Sequence, residues 1–97
     1  MSKGYWITCY RSVSDEAALA QYAGLAGPVI ESHGGRFLAR GNAVKAFEAG
    51  VDQRLVVIEF DSVERAIEAY ESPEYQAALA TLKDCAERDV RIVPGMD

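Results

Sequence analysis

Leu55-Val56-Val57-Ile58-Glu59-Phe60-Asp61 is the stretch that decides the fold of this chain. Its near-continuous run of β-branched, aliphatic and aromatic residues is typical of a strand that is buried on both faces. One carboxylate, that of Glu59, lies inside the run. The run therefore predicts a core strand. Glu59 is the charged residue within it, and it is the first candidate for a functional role.

Elements of regular structure are predicted on both sides of this strand. Residues 4–11 and 36–40 have the aromatic and β-branched character of strands. Between them a helix is expected from about Asp15 to Ser32, with Ser14 as its N-cap and a kink at Gly27-Pro28, because proline removes a backbone donor.

The second half of the chain continues the pattern. Residues 42–53 are expected to form a long connection with one helical turn. A helix is then predicted to open at Asp61 with Glu64 in a capping box, and a further helix to start at Ser72 with Pro73 in its first position. A last strand is predicted over residues 89–93.

The resulting order, βαββαβ, predicts an α+β ferredoxin-like fold. Right-handed crossovers in both halves place four strands in one antiparallel sheet with the helices on one face. A chain of 97 residues allows one domain, so a single domain over residues 1–97 is expected. The uncovered face of the sheet is partly apolar, and we expect a second copy of the chain to bury it, which gives a homodimer.

Composition and charge narrow the classes of function. The net charge of −5 argues against a nucleic-acid partner, because phosphate binding needs a basic face. No signal-peptide pattern is present, and no apolar run approaches the ~20 residues of a membrane span, so a soluble cytoplasmic protein without a membrane partner is expected. Cys9 and Cys85 lack the spacing of a metal site and are expected to be free buried thiols.

Symmetric pairing of the second and third strands places charged residues on the uncovered face. In this register Arg36 lies opposite Glu59, and directly opposed side chains touch. Alternation along the strand then puts Arg40 on the same face as Arg36, whereas Phe37 and Ala39 face the helices.

These charges have two interpretations that the sequence leaves open. In the structural one, Arg36 and Glu59 form an ion pair that fixes the docking of two chains, since a lone buried charge costs several kcal/mol. In the functional one, Arg40 holds an anionic ligand bidentately, and Glu59 accepts a proton with a pKa raised by desolvation.

Histidine and tyrosine residues provide further candidates. His33, the single histidine, is a candidate general base or haem ligand, or a favourable residue at a helix end. With no second histidine, no metal site and no cofactor are predicted. Tyr70 and Tyr75 flank the helix break at Ser72-Pro73 and are expected to line a ligand pocket, or else to fill the core.

Four motifs follow one another along the chain: Lys3-Gly4-Tyr5-Trp6, the stretch from Gly34 to Gly41, the strand from Arg54 to Phe60, and Tyr70 with Ser72-Pro73-Glu74-Tyr75-Gln76. Together they resemble the bacterial family of domains of unknown function named DUF1330. The resemblance covers nearly the whole chain and implies the dimeric α/β-barrel superfamily, which includes cofactor-free oxygenases, small isomerases and haem-degrading proteins. It implies the fold and a homodimer, and it implies no activity, because a fold does not carry chemistry.

Two hypotheses of function follow. The first is a homodimeric small-molecule-binding domain, which includes a cofactor-free oxygenase- or isomerase-like enzyme acting on a small aromatic or carboxylated compound. Arg36 or Arg40 would hold the anionic group, and Glu59 or His33 would move a proton. The second is a non-catalytic interaction module, in which the same residues lock two chains together. The sequence leaves open whether the protein is an enzyme.

Overall fold

A computed structural model describes residues 2–96. The elements in chain order are strand β1 (Gly4–Val13), helix α1 (Glu16–Ser32), strands β2 (Arg36–Asn42) and β3 (Arg54–Phe60), helices α2 (Val63–Glu71) and α3 (Pro73–Ala80), and strand β4 (Ala86–Pro94). The four strands form one sheet in the order β2-β3-β1-β4, in which all neighbours are antiparallel. This confirms the predicted ferredoxin-like α+β fold. None of the helices within residues 2–96 has the length and apolar character that a membrane span requires.

Strand β3 pairs with a neighbour on both edges, as its apolar run indicates. Val56, Ile58 and Phe60 are buried under the helices. The alternate residues, including Val57 and Glu59, are half-buried on the face that the helices leave uncovered. The prediction that both faces of this strand are buried therefore holds for one face within a single chain.

An aromatic cluster around Trp6 forms the centre of the core. The Trp6 ring is 1% exposed and contacts Tyr75 edge-on, with ring centroids 5.0 Å apart. Phe60 lies stacked beside it at 6.2 Å, and Tyr70 lies at 5.3 Å. Burial of these large rings drives the helices onto the sheet, because each removes a large apolar area from water.

Helix α1 begins one residue later than predicted. Its N-cap is Asp15, whose side chain accepts from the backbone N–H groups of Ala17 and Ala18 at 3.0 and 3.1 Å. Ser14, the predicted cap, instead donates its hydroxyl to the carbonyl of Cys85. The prediction of Ser14 as the N-cap was wrong, because its hydroxyl forms a hydrogen bond with a residue that is distant in the chain. The helix continues through Pro28 to Ser32.

Helix α2 shows the same displacement. Ser62 is its N-cap and accepts from the backbone N–H of Arg65 at 3.2 Å. Asp61, the predicted cap, lies 3.2 Å from Nη2 of Arg36 and forms an ion pair with it. Ser72 caps α3 as predicted, with Pro73 directly after it.

The connection between β2 and β3 contains no helical turn, contrary to prediction, although its turn at Glu48 has a positive φ of 53°. The expectation of two buried thiols also fails: Cys9 is exposed and Cys85 is half-buried. Cys9 is exposed because alternation along β1 turns it to the uncovered face of the sheet.

A bulge in β2 changes which side chains share a face. Pairing starts as predicted, with Arg36 opposite Glu59. An extra residue, Leu38, then shifts the register by one, so that Arg40 lies opposite Val56. A one-residue shift transfers every following side chain to the other face. Arg40 is therefore on the helix face, and the prediction that it shares a face with Arg36 is wrong.

The same bulge corrects the prediction for Ala39. That residue pairs with Val57 and is exposed on the uncovered face, not packed under the helices. Phe37, which precedes the bulge, does face the helices and packs against the core. Alternation thus predicted the face correctly up to the inserted residue and incorrectly after it.

Gly35 allows the turn after α1 to pack tightly on the core. A Cβ atom at this position would lie 2.6 Å from Cγ2 of Ile30 and 2.9 Å from the ring of Phe60. We predict that Gly35→Ala lowers the free energy of unfolding by roughly 1–3 kcal/mol, measured by urea denaturation. The control is Gly24→Ala on the exposed surface of α1, where an added Cβ atom would have no other atom within 4 Å. This variant should raise the free energy of unfolding by up to about 1 kcal/mol, because alanine favours a helix more than glycine does. Equal stabilities of the two variants would contradict this packing.

Candidate functional site

A narrow cleft lies between helix α1 and the helix face of the sheet. Most of its walls are apolar or aromatic. The lining residues are Trp6, Thr8, Tyr10, Tyr22, Ala23, Ala26, Gly27, Ile30, Phe37, Arg40, Arg54, Val56, Ile58 and Arg88. Its cavity volume is about 30 Å³, which is room for one or two water molecules or for the oxygens of one acid group.

Three arginines from three different strands meet at this cleft. The bulge in β2 turns Arg40 toward it, Arg54 is the first residue of β3, and Arg88 on β4 lies opposite Tyr10 of β1. All three therefore lie at the end of the sheet where β2 ends and where β3 and β4 begin. The cleft consequently combines an apolar interior with a cationic end, and we refer to Arg40, Arg54 and Arg88 as the arginine cluster.

The arginine cluster has no carboxylate partner within residues 2–96, because every ion pair there involves other cations. The Arg40 guanidinium lies over the Phe37 ring, 4.7 Å from its centroid. The Nε atom of Arg54 is buried without a hydrogen-bond partner. The Arg54 Nε donor is buried without an acceptor, and no described carboxylate neutralises the three guanidinium groups, so this end of the cleft favours an added anion.

Arg88 is bonded to a pair of buried phenols. It donates to the hydroxyl oxygen of Tyr22 at 3.0 Å and to that of Tyr75 at 3.2 Å. The two hydroxyl oxygens are 2.6 Å apart. Burial raises the pKa of both phenols, so they stay protonated at neutral pH. The phenols therefore accept two hydrogen bonds from Arg88 without neutralising its charge.

Glu59 and Arg36 lie on the opposite side of the sheet from this cleft. The Arg36 Nε donates to the Glu59 carboxylate at 2.9 Å, which confirms the predicted ion pair, and Tyr5 donates its hydroxyl at 2.9 Å. The hydrogen bonds from Arg36 and then Tyr5 hold the pKa of Glu59 below its usual range. This is the reverse of the raised pKa expected for a proton acceptor.

His33 is also remote from the cleft. It follows the last residue of α1 as the C-cap, and its Nε2 lies 4.0 Å from a carboxylate oxygen of Glu74. Its backbone carbonyl accepts from the Arg65 guanidinium at 3.2 Å. Of the roles considered for His33, these contacts support that of a residue at a helix end. Within residues 2–96 no group of three or more potential metal ligands is present.

Tyr70 and Tyr75 converge as the helix break predicts, with ring centroids 5.0 Å apart. Neither lines the cleft. Tyr75 is fully buried in the core, and its hydroxyl reaches the cleft through Tyr22. Tyr70 borders a separate shallow groove with Ile67 and other residues of α2 and β4.

Two residues of the cluster, Arg54 and Arg88, were absent from the candidates chosen on sequence. Arg54 alternates with Val56 and Ile58, so strand periodicity alone places it on the helix face. Arg88 lies in β4, which begins three residues earlier than the predicted strand. Arg54 could have been identified because it is a charged residue at an alternating position that is otherwise occupied by buried apolar residues.

The Glu59 carboxylate should make stability depend on pH. A carboxylate with a lowered folded-state pKa stabilises the native state above its unfolded pKa, and this stabilisation is lost as the pH falls through the folded pKa. We predict that the native chain is more stable than Glu59→Gln at pH 7 and that the difference declines below about pH 4.5, measured by urea unfolding.

The matched control for this test is the Arg36→Met background. There Glu59→Gln should have a much smaller effect at every pH, because the principal hydrogen-bond donor is gone. An equal effect of Glu59→Gln in both backgrounds would show that Arg36 does not perturb this carboxylate.

Comparison with solved structures finds the same fold in proteins of low sequence identity. A protein of unknown function from Rhodopseudomonas palustris has a TM-score of 0.72 at 17% identity, over 99% of this chain and 84% of that one. A dimeric ferredoxin-like protein of unknown function from Thermobifida fusca has a TM-score of 0.65 at 16% identity, over 96% and 91% of the two chains. The cofactor-independent oxygenase SnoaB from Streptomyces nogalater has a TM-score of 0.66 at 8% identity, over 100% and 96%.

These likenesses show the fold alone, because all three identities are low. No curated protein matches the sequence. The family comparison is decisive, since it matches nearly the whole described chain. Residues 3–96 match the family Domain of unknown function (DUF1330), and the chain belongs to that family.

Proposed function

We propose that this protein is a homodimer that binds a small organic anion in the cleft between α1 and the sheet of each chain. One observation carries the proposal: three arginines surround one small cavity, and within residues 2–96 no carboxylate pairs with them. The chain has 15 acidic residues and only 10 basic ones, so carboxylates are abundant. A cluster that lacks them in such a chain fits an anion supplied from outside.

The walls of the cleft determine what kind of anion fits. The cavity of about 30 Å³ has room for an acid group, not for a whole ring. The apolar body of the ligand would then lie toward the mouth, against the stacked Phe37 and Arg40 side chains. Arginine suits this role, because its planar guanidinium binds a carboxylate bidentately and stacks on aromatic faces.

Helix α1 is the wall that can yield to a larger ligand. Pro28 has no backbone N–H, so the Gly24 carbonyl one turn earlier lacks its usual helical partner. Gly27, which lines the cleft, presents no side chain, and a Cβ there would meet no atom within 4 Å. This segment of α1 combines a weakened hydrogen-bond ladder with open space.

The uncovered sheet face supports the homodimer. Ile7, Leu55 and Val57 are half-buried there, and Leu38 and Val93 are 55% and 43% exposed. A second copy that packs face to face would bury these side chains and exclude water from them. The dimeric ferredoxin-like protein from Thermobifida fusca has the same fold.

The second candidate function is a non-catalytic interaction module, and the charges on the uncovered face favour it. Arg36, Glu59 and Tyr5 bond to one another, with Asp61 as a further partner of the arginine. Buried between two sheets, such a network would orient the chains without contacting a ligand. We therefore assign Arg36 and Glu59 to the interface and Arg40 to the anion site.

Replacement of Arg54 by a residue without a guanidinium tests whether this arginine binds a ligand or stabilises the fold. A buried donor left unsatisfied costs about 1–3 kcal/mol, so Arg54→Met should raise the stability of the ligand-free protein by ~1 kcal/mol. The same change should weaken benzoate binding about tenfold or more, measured by calorimetric titration, because a charge-assisted hydrogen bond is lost. Benzamide, the neutral analogue, should bind poorly to both proteins.

Arg36→Met is the matched control for Arg54→Met. It removes a guanidinium from the other face of the sheet and should leave benzoate affinity unchanged while stability falls. If Arg54→Met instead destabilises the protein and binds benzoate as the native chain does, the arginine cluster is structural.

A charge on the uncovered face should break the dimer. Val57 lies in the middle strand pair of that face, and an unpaired carboxylate there would cost several kcal/mol on burial. We predict that Val57→Asp sediments as a monomer at concentrations where the native chain is a dimer. Ala77→Asp, at an exposed position on α3, should remain dimeric. A native chain that is monomeric at micromolar concentration would overturn the homodimer.

A further inference from the structure

We propose that the cleft stabilises the oxyanion of a weak organic acid, a phenolate or an enolate, and that the Tyr22 hydroxyl donates to that oxygen. This inference rests on the proposed anion site and specifies the class of ligand. It follows from counting the protons of the buried network formed by Tyr22, Tyr75 and Arg88.

The network has one O–H proton more than it can use. Both phenol oxygens accept from Arg88, at 3.0 and 3.2 Å, and the 2.6 Å contact between them uses one hydroxyl proton. Two hydroxyls carry two protons, so one proton requires an acceptor outside the network.

Both phenols are buried, Tyr22 at 6% and Tyr75 at 0% exposure, so their position relative to the cleft decides which proton is in excess. Tyr75 is 0% exposed and does not line the cleft, so an unused proton on its hydroxyl would be an unsatisfied buried donor. Tyr22 does line the cleft. The favoured arrangement therefore has Tyr75 donating to Tyr22, which leaves the Tyr22 proton available to a group inside the cleft.

The remaining polar groups of the cleft are also mainly donors. The arginine cluster contributes three guanidinium groups, and Thr8 already accepts from the indole N–H of Trp6 at 2.7 Å. The described lining contains no carboxylate, imidazole or amine that could take a proton from a ligand. Such a site binds the ionised form of an acid more tightly than the neutral form, and this difference lowers the pKa of the bound acid.

The proton balance is simple. The O–H bond of the phenol or enol breaks, its electron pair stays on the oxygen, and the proton passes to water or buffer at the mouth of the cleft. No electron is transferred and no second reactant is needed. The product is a bound phenolate or enolate at a pH where the free compound is largely neutral, which is a form activated for reaction at carbon.

The test uses 4-nitrophenol, whose phenolate has its own visible absorbance. The probe is titrated with pH, with and without the native protein in saturating amount. We expect the apparent pKa of the bound probe to fall by about one unit or more. Tyr22→Phe should lose most of this fall, because the hydroxyl that donates to the oxyanion is gone. Tyr75→Phe should keep part of the fall, because the Tyr22 donor is still present.

The outcomes are distinguishable. If benzoate binds but the pKa of 4-nitrophenol is unchanged, the inference is wrong and the anion site stands. If the pKa falls equally in the native chain and in Tyr22→Phe, the phenol is not the donor and the inference is likewise wrong. If neither probe binds, both the anion site and this inference are overturned. A cooperative urea-unfolding transition shows that the Tyr22→Phe variant is folded.

Discussion

Alternation of side chains along the strands is the constraint from which both the core and the charged sites of this protein follow. Helices cover one face of the sheet only, so outside the bulges each strand sends every second residue into the core and the others to the uncovered face. On the core face, Trp6 and its aromatic neighbours are packed to near-complete exclusion of water. On the other face, aliphatic side chains stay half-buried among ion pairs. A thin core of this kind is what a chain of this length can build by itself.

The arginines also lie on two different faces of the sheet, and those on one face have different partners from those on the other. On the uncovered face, Arg36 and Arg91 each bond a carboxylate of a nearby strand residue. On the helix face, Arg54 has a buried donor with no acceptor, and Arg88 has only neutral phenols. Paired charges can orient two surfaces, whereas a buried donor without an acceptor and guanidinium groups without a counter-ion reduce stability and suit a site that binds an anion. The distribution therefore favours an interface role for the first pair and a ligand role for the second.

The bulge at Leu38 links these two faces. Without the inserted residue, Arg40 would lie beside Arg36 on the uncovered face and the cleft would have two arginines instead of three. With it, Arg40 packs over Phe37 at the edge of the cleft. A β-bulge that redirects one side chain toward a site is a recurring feature of sheets near binding residues. The cationic end of the cleft thus depends on one extra residue in an edge strand.

Local patterns in the sequence were sufficient to predict the order of the elements. The apolar run of β3, the helix break at Ser72-Pro73 and the glycines after α1 each act within a few residues, and the Arg36–Glu59 pair followed from strands that are close in the chain. The caps of α1 and α2 moved by one residue because Ser14 and Asp61 are bound by distant groups. The arginine cluster could not be predicted. It joins three strands across the sheet and depends on a register shift that no local propensity encodes, so only tertiary packing brings its members together.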